Sequence, residues 1–498
     1  MRIPTDLYKP SLALLTDLYQ LTMAQAAWRS GAARDESVFH LFFRRSPFGS
    51  GYAIAAGLEA ALDWLAALRF DRDDLAFLAT LKGADGGRHL SSDFLAELGR
   101  LEPALDVDAM PEGTAVFPQE PLLRVKGPVI ACMLAETTLL NLVNFPTLVA
   151  TKAARIVQAT RGEPVLEFGL RRAQGIDGGL TASRAAYLGG CDATSNVLAG
   201  RLFGIPVKGT HAHSWVMLFD TEREAFQEYA QALPNNCVFL VDTYDTLDGV
   251  RHAIEAGRWL EERGQKLLGV RLDSGDLASL SIEARKLLDE AGFPEARIFA
   301  SNDLDEHVIE SLKAQGAAIA VWGVGTRLVT AADDPALGGV YKLAAVRKAG
   351  GGGTWRYRVK VSEQAAKTST PGILQVRRFS SPGASSAFLA DGIYDLERGW
   401  GLAGAATRLV NPFDPTLLTR VPGDAVGEDL LVPAMRGGKI VLEGGGLEAA
   451  RARAQAQLAR LPAGVKRFLN PHLYPVGLEP GLQELRTRMI LEARKPSP

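Results

Sequence analysis

The sequence predicts an α/β protein centred on a barrel of parallel strands, with an α/β domain before it and a β-rich extension after it. Three observations carry this. Short apolar runs recur from residue 163 onward, at 165–170, 207–209, 238–241, 267–270, 298–300 and 319–324, each followed by a helical stretch. The later runs start at 238, 267, 298 and 319, roughly thirty residues or fewer apart, the size of one strand-plus-helix unit. Repetition of that unit calls for parallel strands, in a barrel or an open doubly wound sheet. No GxGxxG opens a helix, so the barrel is the better reading.

In chain order, 12–29 reads as a helix on Leu14, Leu18, Leu21, Ala24 and Trp28, and 37–44 as a strand followed by a turn at Gly49-Ser50-Gly51. Residues 57–68 are apolar on a helical period, and 116–125 holds two short strand pieces broken by Pro118 and Pro121. Residues 133–159 are helical, with Pro146 marking a break or kink. Past Lys342 the strand–helix pattern fades. Gly350–Gly353 is a flexible break, 355–361 and 373–379 read as strands, 447–460 as a surface helix, and the tail from Lys495 as disordered. The implied domains are 1–130, 131–345 and 346–498, the last packing back on the first.

Composition sets limits. A chain of 498 residues exceeds one ordinary core. Hydrophobic residues at 47% and charged residues at 22% are the balance of a soluble globular protein. Fifty-five basic against 57 acidic residues leave a net charge of -2, which argues against a nucleic-acid binder but not against a local anion site. Cys132, Cys191 and Cys237 form no CxxC and no even disulfide set, in keeping with a reducing compartment. The first twenty residues carry Arg2, Asp6, Lys9 and Asp17 and do not read as a signal peptide. No apolar stretch reaches the length of a membrane span, and the expectation is a cytoplasmic protein.

A barrel does its chemistry where strands end and loops begin. The ends here are Gly169-Leu170-Arg171-Arg172, Gly209-Thr210-His211-Ala212-His213-Ser214, Val241-Asp242-Thr243-Tyr244-Asp245, Arg271-Leu272-Asp273-Ser274-Gly275-Asp276, Ala300-Ser301-Asn302-Asp303 and Gly323-Val324-Gly325-Thr326. The last lets backbone N–H groups approach an anion and adds the Thr326 hydroxyl, the design of a barrel phosphate site; its plain alternative is a tight turn. Arg171, Arg172 and Arg271 suit carboxylate or phosphate, against structural pairing with Glu167 or Asp177. Asp273 and Asp276 could hold ribose hydroxyls or Mg²⁺, against capping of the next helix by Asp276. His211 and His213, two apart on a strand, share a face. They read either as a metal pair or as one reactive histidine oriented by a carboxylate, for which Asp242 is in place.

Taken together, Thr16-Asp17-Leu18-Tyr19-Gln20, Phe43-Arg44-Arg45, Glu167 through Gly175, Gly209 through Trp215, Val241-Asp242-Thr243-Tyr244, Arg271 through Asp276 and Gly323 through Thr326 resemble the nicotinate phosphoribosyltransferase family. So does Asn470-Pro471-His472-Leu473-Tyr474-Pro475. The resemblance implies a type II phosphoribosyltransferase fold, an irregular (β/α) barrel with an N-terminal α/β domain, packed as a homodimer. It implies that nicotinate is joined to 5-phosphoribosyl 1-diphosphate, giving nicotinate mononucleotide and diphosphate, with ATP hydrolysed and Mg²⁺ required, as an entry step to NAD. It places a transient phosphohistidine at His213, oriented by Asp242. Tyr19, Arg171, Ser195, Thr210 and Arg271 are implied to hold nicotinate, Tyr19 by stacking in the partner subunit's site. Asp273 is implied to hold ribose or metal-bound groups, and Ser214, Ser274, Gly275, Gly325, Thr326 and Lys342 to hold phosphate.

Three rivals stand beside this. A nicotinamide-using relative would carry an acid where Ala193-Thr194-Ser195-Asn196 presents Ser195, and a serine donor suits a carboxylate. A metal-dependent barrel hydrolase would use His211 and His213. A catalytically dead nucleotide sensor is opposed by the intact His213, Asp242 and Arg271.

Overall fold

Strand ends rich in Asp and Asn double as helix starts, and that doubling builds the barrel. The structure, a computed structural model, describes residues 12–350, 353–364, 367–383, 386–400 and 407–495. The expected disorder beyond Lys495 and part of the 350–353 break lie outside the described residues. By contacts the chain divides into two compact units, one formed by the chain up to Thr147 together with everything from Ala336, the other by Leu148–Pro335. The sequence had placed these cuts at 130 and 345.

The Leu148–Pro335 unit holds six parallel strands in the order Ala193–Thr194, Val165–Glu167, Val321–Val324, Arg297–Asn302, Gly269–Leu272, Val238–Leu240. Val165–Glu167, Ala193–Thr194, Val238–Leu240 and Val321–Val324 are buried throughout, hence their near-continuous apolar runs. Four of the following helices are capped by the residues that end the loops. Asn196, Asp245, Asp276 and Asp305 each accept hydrogen bonds from N–H groups of the first turn. Asp276 is therefore a cap, the plainer of its two readings.

The sheet closes irregularly. Val207 forms a parallel bridge to Thr194, flanked by Lys208 N–H donating to Thr194 O and Thr194 N–H donating to Pro206 O, each 3.0 Å. At the other edge the Leu240 N–H donates to the His211 ring at Nε2, 3.2 Å. An imidazole thus stands where a strand carbonyl would. Residues 207–209, expected as a full strand, contribute only that one bridge.

The other unit contains three sheets, the smallest of them the antiparallel pair Ala53–Ile54 and Ala115–Val116. An antiparallel one runs Arg356–Tyr357, Gly339–Arg347, Glu36–Phe43, Leu123–Pro128, Asp106–Ala109, Val432–Arg436, Lys439–Ile440. A mixed one runs Leu418–Val421, Thr407–Val410, Val476–Leu478, Phe388–Asp395, Leu374–Ser380, Val426–Asp429.

Two expectations meet at the long helix, a break or kink at Pro146 and the lack of a membrane-length apolar stretch. The helix runs unbroken from Glu136 to Thr160 with Pro146 inside it. Proline cannot bond the carbonyl four residues back, here that of Leu142. Gly57 packs against that carbonyl so closely that a Cβ on Gly57 would lie 2.0 Å from its oxygen. With the preceding short helix, the run Val129–Thr160 is also long and apolar enough to cross a bilayer. More than half of its most apolar part is buried within the protein, and its Lys152 and Arg155 pair with buried Glu306 at 2.8 and 2.7 Å.

Candidate active site

Arg171 lies not on a strand but in the 3₁₀ turn Leu170–Arg172, beyond the end of Val165–Glu167. Strand alternation therefore does not decide which arginine faces the rim; both are exposed. Among the described residues no carboxylate pairs with Arg171. Glu167, its proposed structural partner, is occupied by neutral donors instead.

Arg271 is the last residue but one of its strand, paired with Leu240 and Phe299 on either side. Its Nη1 donates to Thr210 Oγ1, and its Nε is buried with no partner among the described residues. Burial pulls its pKa down, Asp273 and Asp242 push it up, and the charge of Arg171 adds to the downward pull. The two guanidiniums thus feel one another. A buried guanidinium N–H without an acceptor is a donor suited to an anionic oxygen.

His211 and His213 do not share a strand face. His211 is buried among Phe226, Tyr229 and Phe239, and burial lowers its pKa to about 4. Its Nε2 is taken by Leu240, and Nδ1 faces Ala212 O at 3.4 Å, so the neutral ring carries its proton on Nδ1. His213 opens the short helix His213–Val216. Its side chain is 39% exposed and its Nε2 lies 3.3 Å from Oδ1 of Asp242, which is 1% exposed. The other Asp242 oxygen accepts from the Asp273 N–H at 2.9 Å and from Ser274 Oγ at 2.6 Å. The hydrolase reading fails here, because the two imidazoles are turned to different partners.

Asp273 Oδ1 accepts from Ser301 Oγ at 2.5 Å. Among the described residues no cluster of three His, Cys, Asp or Glu side chains could hold a metal ion. A Mg²⁺ ion at this rim would have to be held by one or two carboxylates together with waters and substrate phosphates. Gly275 has φ +79°, and Ser214 is exposed in the His213 helix. Gly325 precedes the short helix Thr326–Val329. Gly323 is glycine because a Cβ would meet the Phe168 ring at 2.8 Å. Ser195 is half-buried, fixed by its N–H to Glu167 O at 2.9 Å. Asn302, which the sequence left unassigned, holds φ +146°, a rare conformation outside glycine and one that collects at functional sites.

Tyr19 and Lys342 belong to the other unit. Tyr19 is 47% exposed, between two anchored neighbours. Asp17 accepts from Thr137 at 2.9 Å, and buried Gln20 donates to Glu136 at 3.1 Å. Lys342 lines a cavity with His40, Gln119, Ser369 and Thr370. Burial lowers its pKa, Glu136 opposes that, and Arg44 and Lys360 reinforce it. Arg44 and Lys360 are cations that sequence reasoning did not assign, although Phe43-Arg44-Arg45 stood among its motifs. Tyr474 of the C-terminal motif is structural. It stacks on Phe117 at 3.9 Å and donates to buried Asp391.

A barrel with basic, hydroxyl and carboxylate side chains on one rim is the architecture of the type II phosphoribosyltransferases. The same fold is seen in nicotinate-nucleotide pyrophosphorylase from Pyrococcus furiosus, at TM-score 0.66 and 22% identity over 92% of this chain and 97% of that one. The crystal structure of human nicotinic acid phosphoribosyltransferase matches at TM-score 0.81 and 35% identity, covering 95% of this chain and 99% of that one. Family models described as nicotinate phosphoribosyltransferase N-terminal domain, family and C-terminal domain match residues 14–144, 165–353 and 376–486. Nicotinate phosphoribosyltransferase from Bacillus subtilis is 42% identical over 97% of this chain and 96% of its own, and the Homo sapiens protein of that name is 38% identical over 95% of each. The chain belongs to the nicotinate phosphoribosyltransferase family.

Proposed function

We propose that the chain joins nicotinate to 5-phosphoribosyl 1-diphosphate in NAD salvage, releasing nicotinate mononucleotide and diphosphate, with ATP hydrolysed through a phosphohistidine at His213. The observation that carries the site assignment is the buried, unpartnered Arg271 Nε beside the His213–Asp242 pair. The pyridine nitrogen forms its bond to ribose C1 as the C1–O bond to diphosphate breaks, and the electron pair leaves with diphosphate. The nitrogen is already nucleophilic, so the pocket orients it. Arg171, Thr210 and Arg271 hold the carboxylate, and Ser195 adds a hydroxyl donor. Asp273 would hold Mg²⁺, which would supply charge neutralisation of the diphosphate. Ser214, Ser274, Gly275, Gly325, Thr326 and Lys342 donate to phosphate oxygens.

At His213 the Nε2–H donates to Asp242, which leaves the Nδ1 lone pair to take the γ-phosphoryl group of ATP as the P–O bond to the β-phosphate breaks and ADP leaves. Asp242 is held for this by Asp273 N–H and Ser274 Oγ.

The protein works as a homodimer, with Tyr19 of the partner subunit stacked on the pyridine ring. Supporting this, Tyr19 is exposed on an anchored helix, and Val197, Leu202, Met217 and Leu218 stand exposed on segments next to the rim. A cytoplasmic location accords with three buried cysteines, none of them in a disulfide. The test is an endpoint assay offering nicotinate, nicotinamide and quinolinate with 5-phosphoribosyl 1-diphosphate, with and without ATP. Product from nicotinate, increased by ATP, is expected. Faster turnover of nicotinamide or quinolinate overturns the reading.

A further inference from the structure

Glu167 is a buried carboxylate that pairs with no cation among the described residues. Oε1 accepts from the Gly169 N–H; Oε2 accepts from Ser183 Oγ at 2.9 Å and Thr194 Oγ1 at 2.6 Å. These donors come from three separate pieces of chain. Gly169 opens the turn that carries Arg171, Ser183 lies in the helix Gly175–Leu188, and Thr194 directly precedes Ser195. The backbone adds a fourth tie, Ser195 N–H to Glu167 O at 2.9 Å. Asn196 closes the network by donating its N–H to Thr194 Oγ1 at 2.9 Å and its Nδ2 to Ser183 Oγ at 3.1 Å. A buried carboxylate is tolerated only when its oxygens are satisfied, so each of these pieces is held to the same two atoms.

We propose that Glu167 is a positioning residue that sets Arg171 relative to Ser195, and through them the preference for a pyridine carboxylate over a carboxamide. This rests on the assignment of Arg171 and Ser195 to the nicotinate pocket. A carboxylate is required because three donors converge on two oxygens. Glutamine keeps the shape but offers one oxygen and turns an N–H₂ toward groups that are themselves donors.

The test compares Glu167→Gln, the near-isosteric Thr194→Val and Arg171→Ala with wild type, measuring kcat and KM for nicotinate and kcat/KM for nicotinamide, with thermal midpoints alongside. Glu167→Gln should raise KM for nicotinate about tenfold while kcat at saturation stays within about threefold, and the nicotinate-to-nicotinamide preference should fall by a similar factor. Thr194→Val should move both in the same direction by less, and it decides the matter if Glu167→Gln does not fold. An unchanged KM in Arg171→Ala shows the pocket assignment to be wrong, and the role of Glu167 falls with it. A raised KM in Arg171→Ala with unchanged KM and preference in the other two overturns the inference alone. A loss of kcat that only tracks lost folded protein makes Glu167 a structural residue and overturns it as well.

Discussion

The His211 ring accepts a hydrogen bond from the Leu240 backbone N–H at 3.2 Å, bridging two segments of the barrel that no strand ladder joins there. This contact separates the two histidines of one motif. One completes the barrel wall. The other, two residues on, faces Asp242 from a half-exposed position.

His213→Ala should abolish labelling by γ-phosphate-labelled ATP and remove stimulation by ATP. His211→Ala should keep labelling on the protein that folds, but lose about 1–3 kcal/mol of stability, because the Leu240 N–H is left buried without an acceptor. Radiolabel and denaturation midpoints on both variants check this. Label persisting in His213→Ala would exclude it as the acceptor.

Acid should destabilise the protein through its buried neutral histidines. His211 is lowered to about 4, and His40, whose Nε2 accepts from Leu374 N–H at 3.2 Å, to about 3, both chiefly by burial. The unfolded chain binds these protons near pH 6.5 and the folded chain does not, so stability rises with pH between those values. Each contribution is complete above about pH 6.5 and is lost as pH falls toward the folded value. Denaturant midpoints between pH 4 and 7 should show this slope, and a glutamine at either position should flatten it.

Tyr19→Ala and His213→Ala, each nearly inactive alone, should recover activity when co-expressed. A mixed dimer then contains one site free of both defects. Mixed dimers that form but stay inactive would mean that each site is built within one chain.

Ser195→Asp should lower kcat/KM for nicotinate by about tenfold or more, roughly the effect of one like-charge contact. Nicotinamide should hold or gain, since its N–H₂ acquires an acceptor. Both substrates are measured on one preparation that still folds. An unchanged ratio leaves the arginines alone in charge of the choice.

The sequence by itself determined the barrel and most of its rim. A buried parallel strand needs an unbroken apolar run, and its loop needs polar residues, so both are written locally at 165–170, 238–241, 267–270, 298–300 and 319–324. The partnership of His213 with Asp242 was legible too, because adjacent parallel units bring their loop ends to one rim. Tertiary structure decided what local pattern cannot encode. It made Asp276 a cap, seated His211 in the wall, and kept the helix whole through Pro146, where Gly57 faces the freed carbonyl. It assembled the six-stranded C-terminal sheet, in which Val476–Leu478 joins Phe388–Asp395 and Thr407–Val410 from far along the chain, and of whose strands the sequence pattern shows only 373–379. It also brought Gly169, Ser183 and Thr194 to one carboxylate. A periodicity reports which side of an element is buried. Which partner meets a buried polar atom depends on segments distant in the chain, and only the folded packing brings them together.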